Sequence, residues 1–503
     1  MSTLIRGASI IAMDAEHGST PFTGDILIEG DRIAAIGNLG DVQAKSVLDG
    51  RDRLVIPGLV NSHLHSGEAL FKGRYDNLPL ELWMLYAYPV LGTRALTERL
   101  IYLRTMVVAI ESLRSGVTCV SDDIFEFPGQ TMSQLDAVFQ AYADSGLRAT
   151  VSSNIMDKKM LDTIPFTREV IPPALQQEVD SLPTPDIDGY LKFCGEVFER
   201  HHDREGRLRF MIAPSAPQRC TEEMLLAADE MARGYGVPFH THIVETKVQG
   251  VTGPEMYGKS LIQYMHDLGI LTSNVTIAHS IWVTDRDIEL MGEAGVSVVH
   301  NAISNQKLGA GIAPIRKLIS GGVNVALGSD GICSNDTPRM FDVMRAAALM
   351  HKVATPNYDH WPVAGEMLAA ATINGAKSAM IGDQVGSLEV GKRADLVLLD
   401  TNSINFTPLN DLRNHLVYCE NGSSVDTVFV NGEVMVENGR MTRVDEGELL
   451  AELREMMPAF AEYHADVERK NSVLEPYFAE IHKRCNLMDI GIHRLGAEPA
   501  WAN

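Results

Sequence analysis

Two histidines one residue apart, His63 and His65, close the run Leu54-Val-Ile-Pro-Gly-Leu-Val-Asn-Ser-His-Leu-His65. We predict that this run is a β-strand, whose alternation places both imidazoles on one face. Neutral imidazole nitrogen is a common ligand of zinc-like ions. Two histidines alone are equally typical of a surface turn, so the interpretation depends on the rest of the chain.

Further ionisable side chains stand where other short apolar runs end. Each has an ordinary explanation when taken alone: a core histidine for His242, a helix-capping acid for Glu245 and an Asp-Gly turn for Asp330. Their joint occurrence at successive strand ends predicts a metal site. The residues are His240-Thr-His242-Ile-Val-Glu245, His279, His300-Asn301 and Gly328-Ser-Asp330-Gly331.

Three histidines and one aspartate around a divalent ion leave one position for water, which is the open site that a catalytic metal needs. The metal would lower the pKa of that water, and a carboxylate at a nearby strand end would move its proton to a leaving group. For His300 we expect a structural or substrate-facing role.

The elements that must position these residues are short apolar strands separated by helical stretches such as Glu222–Met231. Repeated β–α units with near-continuous apolar strands indicate a parallel sheet buried on both faces. Eight units over this length predict a closed (β/α)₈ TIM-like barrel, in which all strand ends meet at one mouth. A doubly wound sheet is the alternative, but it does not explain the clustered ionisable residues. Besides the His63 strand, the predicted strands are 117–121, 148–152, 208–213, 237–242, 275–279, 296–300 and 323–327.

Both ends of the body carry strand and hairpin patterns, with turns expected at Gly30-Asp31 and Asn431-Gly432. We predict that residues 1–55 and 390–445 pair into a small β-sandwich, that residues 56–389 form the barrel, and that 446–503 form a helical C-terminal extension. The extension, with Trp501 near its end, is expected to be a surface or subunit-contact element.

The composition limits the partners. A net charge of −23 disfavours nucleic acid and anionic membranes, and no apolar stretch is long enough to span a bilayer. Six cysteines without a Cys-x-x-Cys pair indicate a reducing compartment. We therefore expect a cytoplasmic protein that acts on a small molecule, and the extension makes a homo-oligomer the expected assembly.

Taken together, these motifs resemble the amidohydrolase superfamily, and within it the branch of triazine hydrolases, guanine-type deaminases and adenosylhomocysteine/methylthioadenosine deaminases. The resemblance extends to about Gly439. It depends on Pro57–His65, His240–Thr246, Ala278-His279, Ser304–Pro314, Gly328–Gly331 and Gly386–Leu396.

The resemblance implies a role for each site residue. His63, His65, His242 and Asp330 would bind one metal ion, with zinc expected and iron or manganese as alternatives. Asp330 would also take a proton from the attacking water, Glu245 would carry a proton to a ring nitrogen, and His279 would hydrogen-bond the attacking oxygen. Dinuclear relatives carry a bridging lysine on strand four, and the strand 208–213 has none, which favours a mononuclear site.

The substrate is where the chain departs from the nucleoside deaminases. Leu91 stands where they carry a ribose-binding glutamate, and Ser215 stands where they carry a histidine. We expect Glu68 to accept N–H groups of a heterocycle, Trp83 to pack on it, and Ser215 to contact it. These features favour hydrolytic deamination of a free purine, pyrimidine or triazine. The alternatives are dechlorination, alkylamine displacement, amide or carbamate hydrolysis, and deamination of an adenosine-type nucleoside.

Overall fold

The computed structural model describes residues 2–496, so Trp501 and the end of the predicted extension lie outside the described residues. The first five strands belong to the terminal sheet. They are β1 (Ser2–Ile10), β2 (Phe22–Glu29), β3 (Arg32–Gly37), β4 (Ser46–Asp49) and β5 (Arg53–Pro57).

The next nine strands are all parallel and form the barrel, in sequence order around the sheet except for the last. They are β6 (Leu59–His65), β7 (Val117–Asp122), β8 (Arg148–Ile155), β9 (Leu208–Pro214), β10 (Phe239–Ile243), β11 (Val275–His279), β12 (Ser297–His300), β13 (Asn324–Leu327) and β14 (Asp330–Gly331).

The eighth barrel strand is interrupted at Gly328-Ser329. The parts on either side of this break pair with different neighbours, and together they close the barrel. Its first part, β13, pairs with β12, whereas Asp330 and Gly331 of β14 pair with β6. Asn61 clamps the break through two hydrogen bonds to Ser329, at 2.7 and 2.9 Å. The predicted (β/α)₈ barrel is therefore confirmed, and Asp330 stands directly beside the strand that carries His63 and His65.

The chain then returns to the terminal sheet through β15 (Leu396–Asp400), β16 (Val425–Val430), β17 (Glu433–Glu437) and β18 (Arg440–Met441). The sheet order is β18-β17-β16-β15-β5-β1-β2-β3, with β4 beside β1. Its buried side chains, among them Ile5, Ile28 and Phe429, form an apolar core separate from that of the barrel. Both ends of the chain therefore build one small unit, and both predicted hairpins are present.

One predicted strand is wrong. The run 54–65 is two strands, because β5 pairs with β1 and β15 of the terminal sheet, and β6 begins the barrel. Gly58 separates them, and a Cβ there would lie only 1.9 Å from Oγ1 of Thr118. Only glycine allows this close approach. The boundary expected at residue 55 accordingly falls inside β5.

The helices cover the barrel and continue into the C-terminal extension. They are α1 (Leu80–Ala87), α2 (Glu98–Arg114), α3 (Met132–Ser145), α4 (Thr167–Val170), α5 (Pro173–Asp180), α6 (Ile187–His201), α7 (Glu222–Tyr235), α8 (Lys247–Tyr257), α9 (Leu261–Asp267), α10 (Asp285–Ala294), α11 (Ala302–Lys307), α12 (Ile315–Ser320), α13 (Met340–Ala354), α14 (Ala364–Ala370), α15 (Ile373–Ser378), α16 (Leu412–Tyr418), α17 (Glu446–Asn471) and α18 (Glu475–Leu487).

The extension lies on the side of the barrel where the strands end. α17 packs against α1 and α2, and α18 packs against α1, α4 and α8. Within residues 2–496, no helix combines the length and the apolar character that crossing a membrane requires.

Candidate active site

The predicted metal ligands converge at the C-terminal mouth of the barrel. Oδ1 of Asp330 lies 3.2 Å from Nε2 of His63 and 3.4 Å from Nε2 of His65. Nε2 of His242 lies 3.4 Å from Nε2 of His65. Three imidazoles and one carboxylate, carried by β6, β10 and β14, therefore present their donor atoms to one small volume.

The second nitrogen of two of these imidazoles is already engaged. Nδ1 of His65 lies 2.6 Å from the carbonyl oxygen of Asp123, and Nδ1 of His242 lies 2.9 Å from that of Ser215. A carbonyl oxygen only accepts, so it fixes the proton on Nδ1 and leaves Nε2 with a free lone pair. This is the tautomer that a metal ligand needs.

The third imidazole also has one nitrogen engaged and one turned to Asp330. Nδ1 of His63 pairs with Nε2 of His240 at 2.8 Å, whereas the buried Nε2 of His63 faces Oδ1 of Asp330 at 3.2 Å without the geometry of a hydrogen bond. A buried polar atom without a hydrogen bond is costly. A divalent cation bound between His63 and Asp330 would satisfy both atoms, so the residues present fit a metal ion.

Asp330 is held in place by its backbone and by a neighbouring hydroxyl. Its φ of +66° lies in the left-handed region, which is uncommon for a residue other than glycine. Oγ of Ser304 donates to Oδ2 at 2.6 Å. Burial alone would raise the pKa of Asp330, but the nearby His279, His63 and His65 outweigh this and hold it well below its ordinary value. The carboxylate is therefore ionised and ready to bind a cation.

Glu245 and His279 form the second half of the site. Nε2 of His279 lies 3.6 Å from Oε2 of Glu245 and 3.8 Å from Oδ2 of Asp330. Nδ1 of His279 is oriented by Oδ1 of Asn305 at 3.0 Å. Burial raises the pKa of Glu245 to about 7. A carboxyl group with such a pKa can hold or release a proton at neutral pH.

The predicted catalytic residues open onto a cavity of about 480 Å³, which we call the metal cavity. Three of the four predicted substrate-binding residues, Glu68, Trp83 and Ser215, line it together with Glu245 and His279. The hydroxyl of Tyr88 donates to Oε1 of Glu68 at 2.5 Å. Glu68 is therefore a buried side chain that is held in place inside the site.

His300, the fourth, does not line the metal cavity. Its Nε2 lies 3.1 Å from Nε2 of His351 on α13, and both side chains are buried. Of the two roles expected for His300, this position supports the structural one.

Several residues in or beside the cavity were missed from the sequence. Asp123 directly follows β7, and Asn154, which lines the cavity, lies near the end of β8; Nδ2 of Asn154 donates to Oδ2 of Asp123 at 2.7 Å. Oδ1 of Asn154 is buried without a partner among residues 2–496. Arg219 also lines the cavity, and its Nη1 donates to Oγ of Ser215 at 3.1 Å. The positions of Asp123 and Asn154 at strand ends were a usable signal, whereas Arg219 lies further along the loop after β9.

The C-terminal extension is connected to the catalytic loop. Oγ1 of Thr246, the residue after Glu245, donates to Oε1 of Glu81 at 2.5 Å. Oε2 of Glu81 lies 3.0 Å from Nδ1 of His482 on α18. α1 is therefore packed between the active site and the extension.

Comparisons with known proteins agree with this geometry. Residues 54–435 match the model of the amidohydrolase family. The chain is 34% identical over 450 residues to a 5'-deoxyadenosine deaminase of Methanosarcina barkeri, covering 89% of this chain and 95% of that protein. It is 33% identical over 448 residues to a 5-methylthioadenosine/S-adenosylhomocysteine deaminase of Caldanaerobacter subterraneus, covering 88% and 95%.

Two solved structures share the fold. The atrazine chlorohydrolase of Arthrobacter aurescens TC1, crystallised with zinc, superposes with a TM-score of 0.80 at 27% identity, covering 91% of this chain and 100% of that one. An adenosine deaminase of Xanthomonas campestris with bound zinc also gives 0.80 at 27% identity, covering 93% and 98%.

Proposed function

The chain belongs to the amidohydrolase family, and from this premise we propose that it is a hydrolytic deaminase of an amino-substituted aromatic nitrogen heterocycle. The predicted family and enzyme class, a metal-dependent amidohydrolase acting on C–N bonds, are confirmed. The observation that carries the proposed reaction is Glu245, a buried carboxyl group that faces the metal cavity beside His279 and Asp330.

In this proposal His63, His65, His242 and Asp330 would hold one divalent ion. When bound, such an ion would lower the pKa of a water molecule, so that a nucleophile would be available at neutral pH. Zinc is the proposed metal, supported by the imidazole-rich donor set and by the zinc in both structural relatives.

The residues of the chain carry the protons. Asp330 accepts a proton from the attacking water, and His279 hydrogen-bonds the oxygen as it adds to the ring carbon. Glu245 protonates the neighbouring ring nitrogen, which receives charge as the C–O bond forms. A proton then passes to the exocyclic amino group, the C–N bond breaks, and ammonia leaves. One water molecule is consumed, and the ring keeps its oxygen.

We propose that Glu68 recognises the ring of the substrate. Its carboxylate accepts from Tyr88 and from the backbone N–H of Cys333, at 3.2 Å, and its side chain lies on the cavity wall. A carboxylate in this position suits a ring that presents N–H groups.

The proposed substrate is a free heterocycle. The curated relatives act on 5'-substituted adenosines by name, which makes a nucleoside the second candidate. Leu91 supports the free ring, because its side chain packs with Leu85 and Ile171 in an apolar cluster and offers no carboxylate for a ribose. Ser215 in place of histidine supports the same choice.

The test is ammonia release by the purified, zinc-loaded protein across adenine, guanine, cytosine, melamine, adenosine and 5'-deoxyadenosine. We expect a free base or triazine to give the highest kcat/KM, and a preference for the nucleosides would replace the free ring by the second candidate. Atrazine belongs in the panel, because chloride release would indicate the leaving group handled by the structural relative. A metal-loaded protein that releases neither ammonia nor chloride would contradict the proposal.

We further propose a cytoplasmic homo-oligomer without nucleic-acid or membrane partners. The six cysteines are free thiols, five of them buried, which suits a reducing compartment. Light scattering of the purified protein measures the oligomeric state.

A further inference from the structure

We infer that a second cavity, next to the metal cavity, is a subsite for an uncharged apolar substituent carried by the ring substrate. We call it the annex; its volume is about 690 Å³. The inference rests on the proposed function, since it names a feature of the substrate of the same site.

The annex adjoins the metal cavity. Five side chains line both cavities, so the boundary between them is one layer of residues: Leu80, Met84, Tyr88, Phe125 and Arg219. A substituent on a ring held against Glu68 and Glu245 would therefore reach the annex by passing a single layer of side chains.

The boundary can open without moving the backbone. Nη2 of Arg219 lies 3.4 Å from Sδ of Met84, and Nη1 donates to Oγ of Ser215 at 3.1 Å. Glu245 and Glu81 attract the Arg219 guanidinium electrostatically. Methionine and arginine are long and unbranched, so rotation about their side-chain bonds makes room for an entering chain.

The walls beyond this boundary are mostly apolar, which favours an apolar group. Their apolar residues include Val90, Phe127, Met156, Met160, Ile164 and, from the C-terminal extension, Phe478. The uncharged polar residues Thr163, Gln218, Gln249 and Thr252 complete the lining. The extension is thus part of the proposed specificity.

The charges at the annex do not favour an anionic substituent. The charged residues that line it are Arg219 at its boundary and Glu81, whose opposite charges offset each other. An anionic tail that reached beyond Arg219 would lose its hydration and would lie near the Glu81 carboxylate, which already accepts from Thr246 and faces His482.

The expected gain follows from transfer of methylene groups out of water. Each methylene group buried contributes about 0.8 kcal/mol, a factor of about four in affinity. Extending a methyl to a butyl group adds three such groups, so full burial corresponds to about sixty-fold tighter binding. We expect at least a tenfold gain for the best-placed isomer.

The experiment measures binding rather than turnover, so it is independent of deamination. Calorimetry on the zinc-loaded protein compares purines that carry methyl, butyl or 3-carboxypropyl groups at C2, at N9 or on an amino group at C6. Met160→Trp fills the annex and should abolish the butyl gain. Met456→Trp is the matched control: Met456 is a partly buried methionine on α17 that lines neither cavity, and this variant should keep the gain.

A second variant tests the opposite change and covers the case that Met160→Trp fails to fold. Phe478→Ala enlarges the annex, so the longest chain that still gains affinity should increase, for example from butyl to hexyl. Equal binding of methyl and butyl purines at all three positions would overturn the inference, as would tighter binding of the carboxypropyl compounds. If butyl purines bind tightly but no ring compound releases ammonia, the annex is supported as a subsite and the proposed deamination is wrong. If ammonia is released but butyl groups give no gain in affinity, the deamination is supported and the annex inference is wrong.

Discussion

Replacing Glu245 by glutamine isolates the proton-transfer step from metal binding and from folding. The side chain is 4% exposed, and glutamine has nearly the same volume, so the cavity keeps its shape. The backbone N–H of Glu245 still donates to Oε1 of Gln249, at 2.9 Å. The variant therefore loses the ionisable group and little else.

The expected loss follows from the position of the carboxyl group. Glu245 approaches His279 and Asp330 but is not among the proposed metal ligands, so removing its proton should affect the chemical step. General acid–base catalysis typically contributes about 10²- to 10⁴-fold. This range corresponds to about 2.7 to 5.5 kcal/mol of transition-state stabilisation, at about 1.36 kcal/mol for each factor of ten.

The assay is ammonia release with the best substrate of the panel, combined with elemental analysis and thermal unfolding. We expect kcat/KM to fall by the stated factor while the metal content and the unfolding temperature stay near those of the wild type. Glu420→Gln is the matched control, since Glu420 is also buried but accepts hydrogen bonds from the backbone N–H groups of Asn421, Gly422 and Ser424, away from the barrel mouth. A loss below threefold, or a loss that disappears when metal content is equalised, would refute the role assigned to Glu245.

Three further predictions follow from the same geometry. Dialysis against a strong chelator should abolish activity, and added zinc should restore it; activity that survives with no metal detected would contradict the donor set. Replacing His240 by phenylalanine removes the partner of Nδ1 of His63 and should weaken metal affinity by about 10- to 100-fold, measured by chelator competition; unchanged affinity would show that His240 does not orient His63. Burial lowers the pKa of His351 to about 4 from 6.5, so below pH 6.5 the unfolded chain binds a proton that the folded protein does not, and stability falls as the pH drops from about 6.5 to 4. Urea unfolding should therefore show that, between pH 7 and pH 5, the free energy of unfolding falls by about 2 kcal/mol less in His351→Gln than in the wild type. An equal decrease in both proteins would contradict this.

The elements that the sequence predicted well are those with a local signal. Asn431-Gly432 between two apolar runs determines a hairpin turn, and the predicted helical stretch Glu222–Met231 lies within α7. The convergence of the proposed metal ligands was predictable for a related reason. The parallel strands of a barrel all end at one mouth, so the position of a residue at a strand end can be predicted before the structure is known.

The predictions were least accurate where a local sequence pattern is compatible with two different structures. The apolar run before His63 looks like one strand, because alternation does not show that its two halves pair with different sheets. Gly58 divides them only because Thr118 of a neighbouring strand fills the space that a Cβ would need. His300 ends a strand as His279 does, yet it faces His351 rather than the cavity.

The sequence by itself determined the barrel, the family and the ionisable residues that end its strands, since these depend on periodicity and on the short-range order of residue types. Only the tertiary structure decided which lone pairs remain free for a metal, because the second nitrogen of each imidazole finds its partner in a distant segment: Asp123 for His65, Ser215 for His242 and His240 for His63. The annex was likewise beyond prediction, because its walls come from segments separated by several hundred residues, and no local pattern specifies that Phe478 packs near Met160.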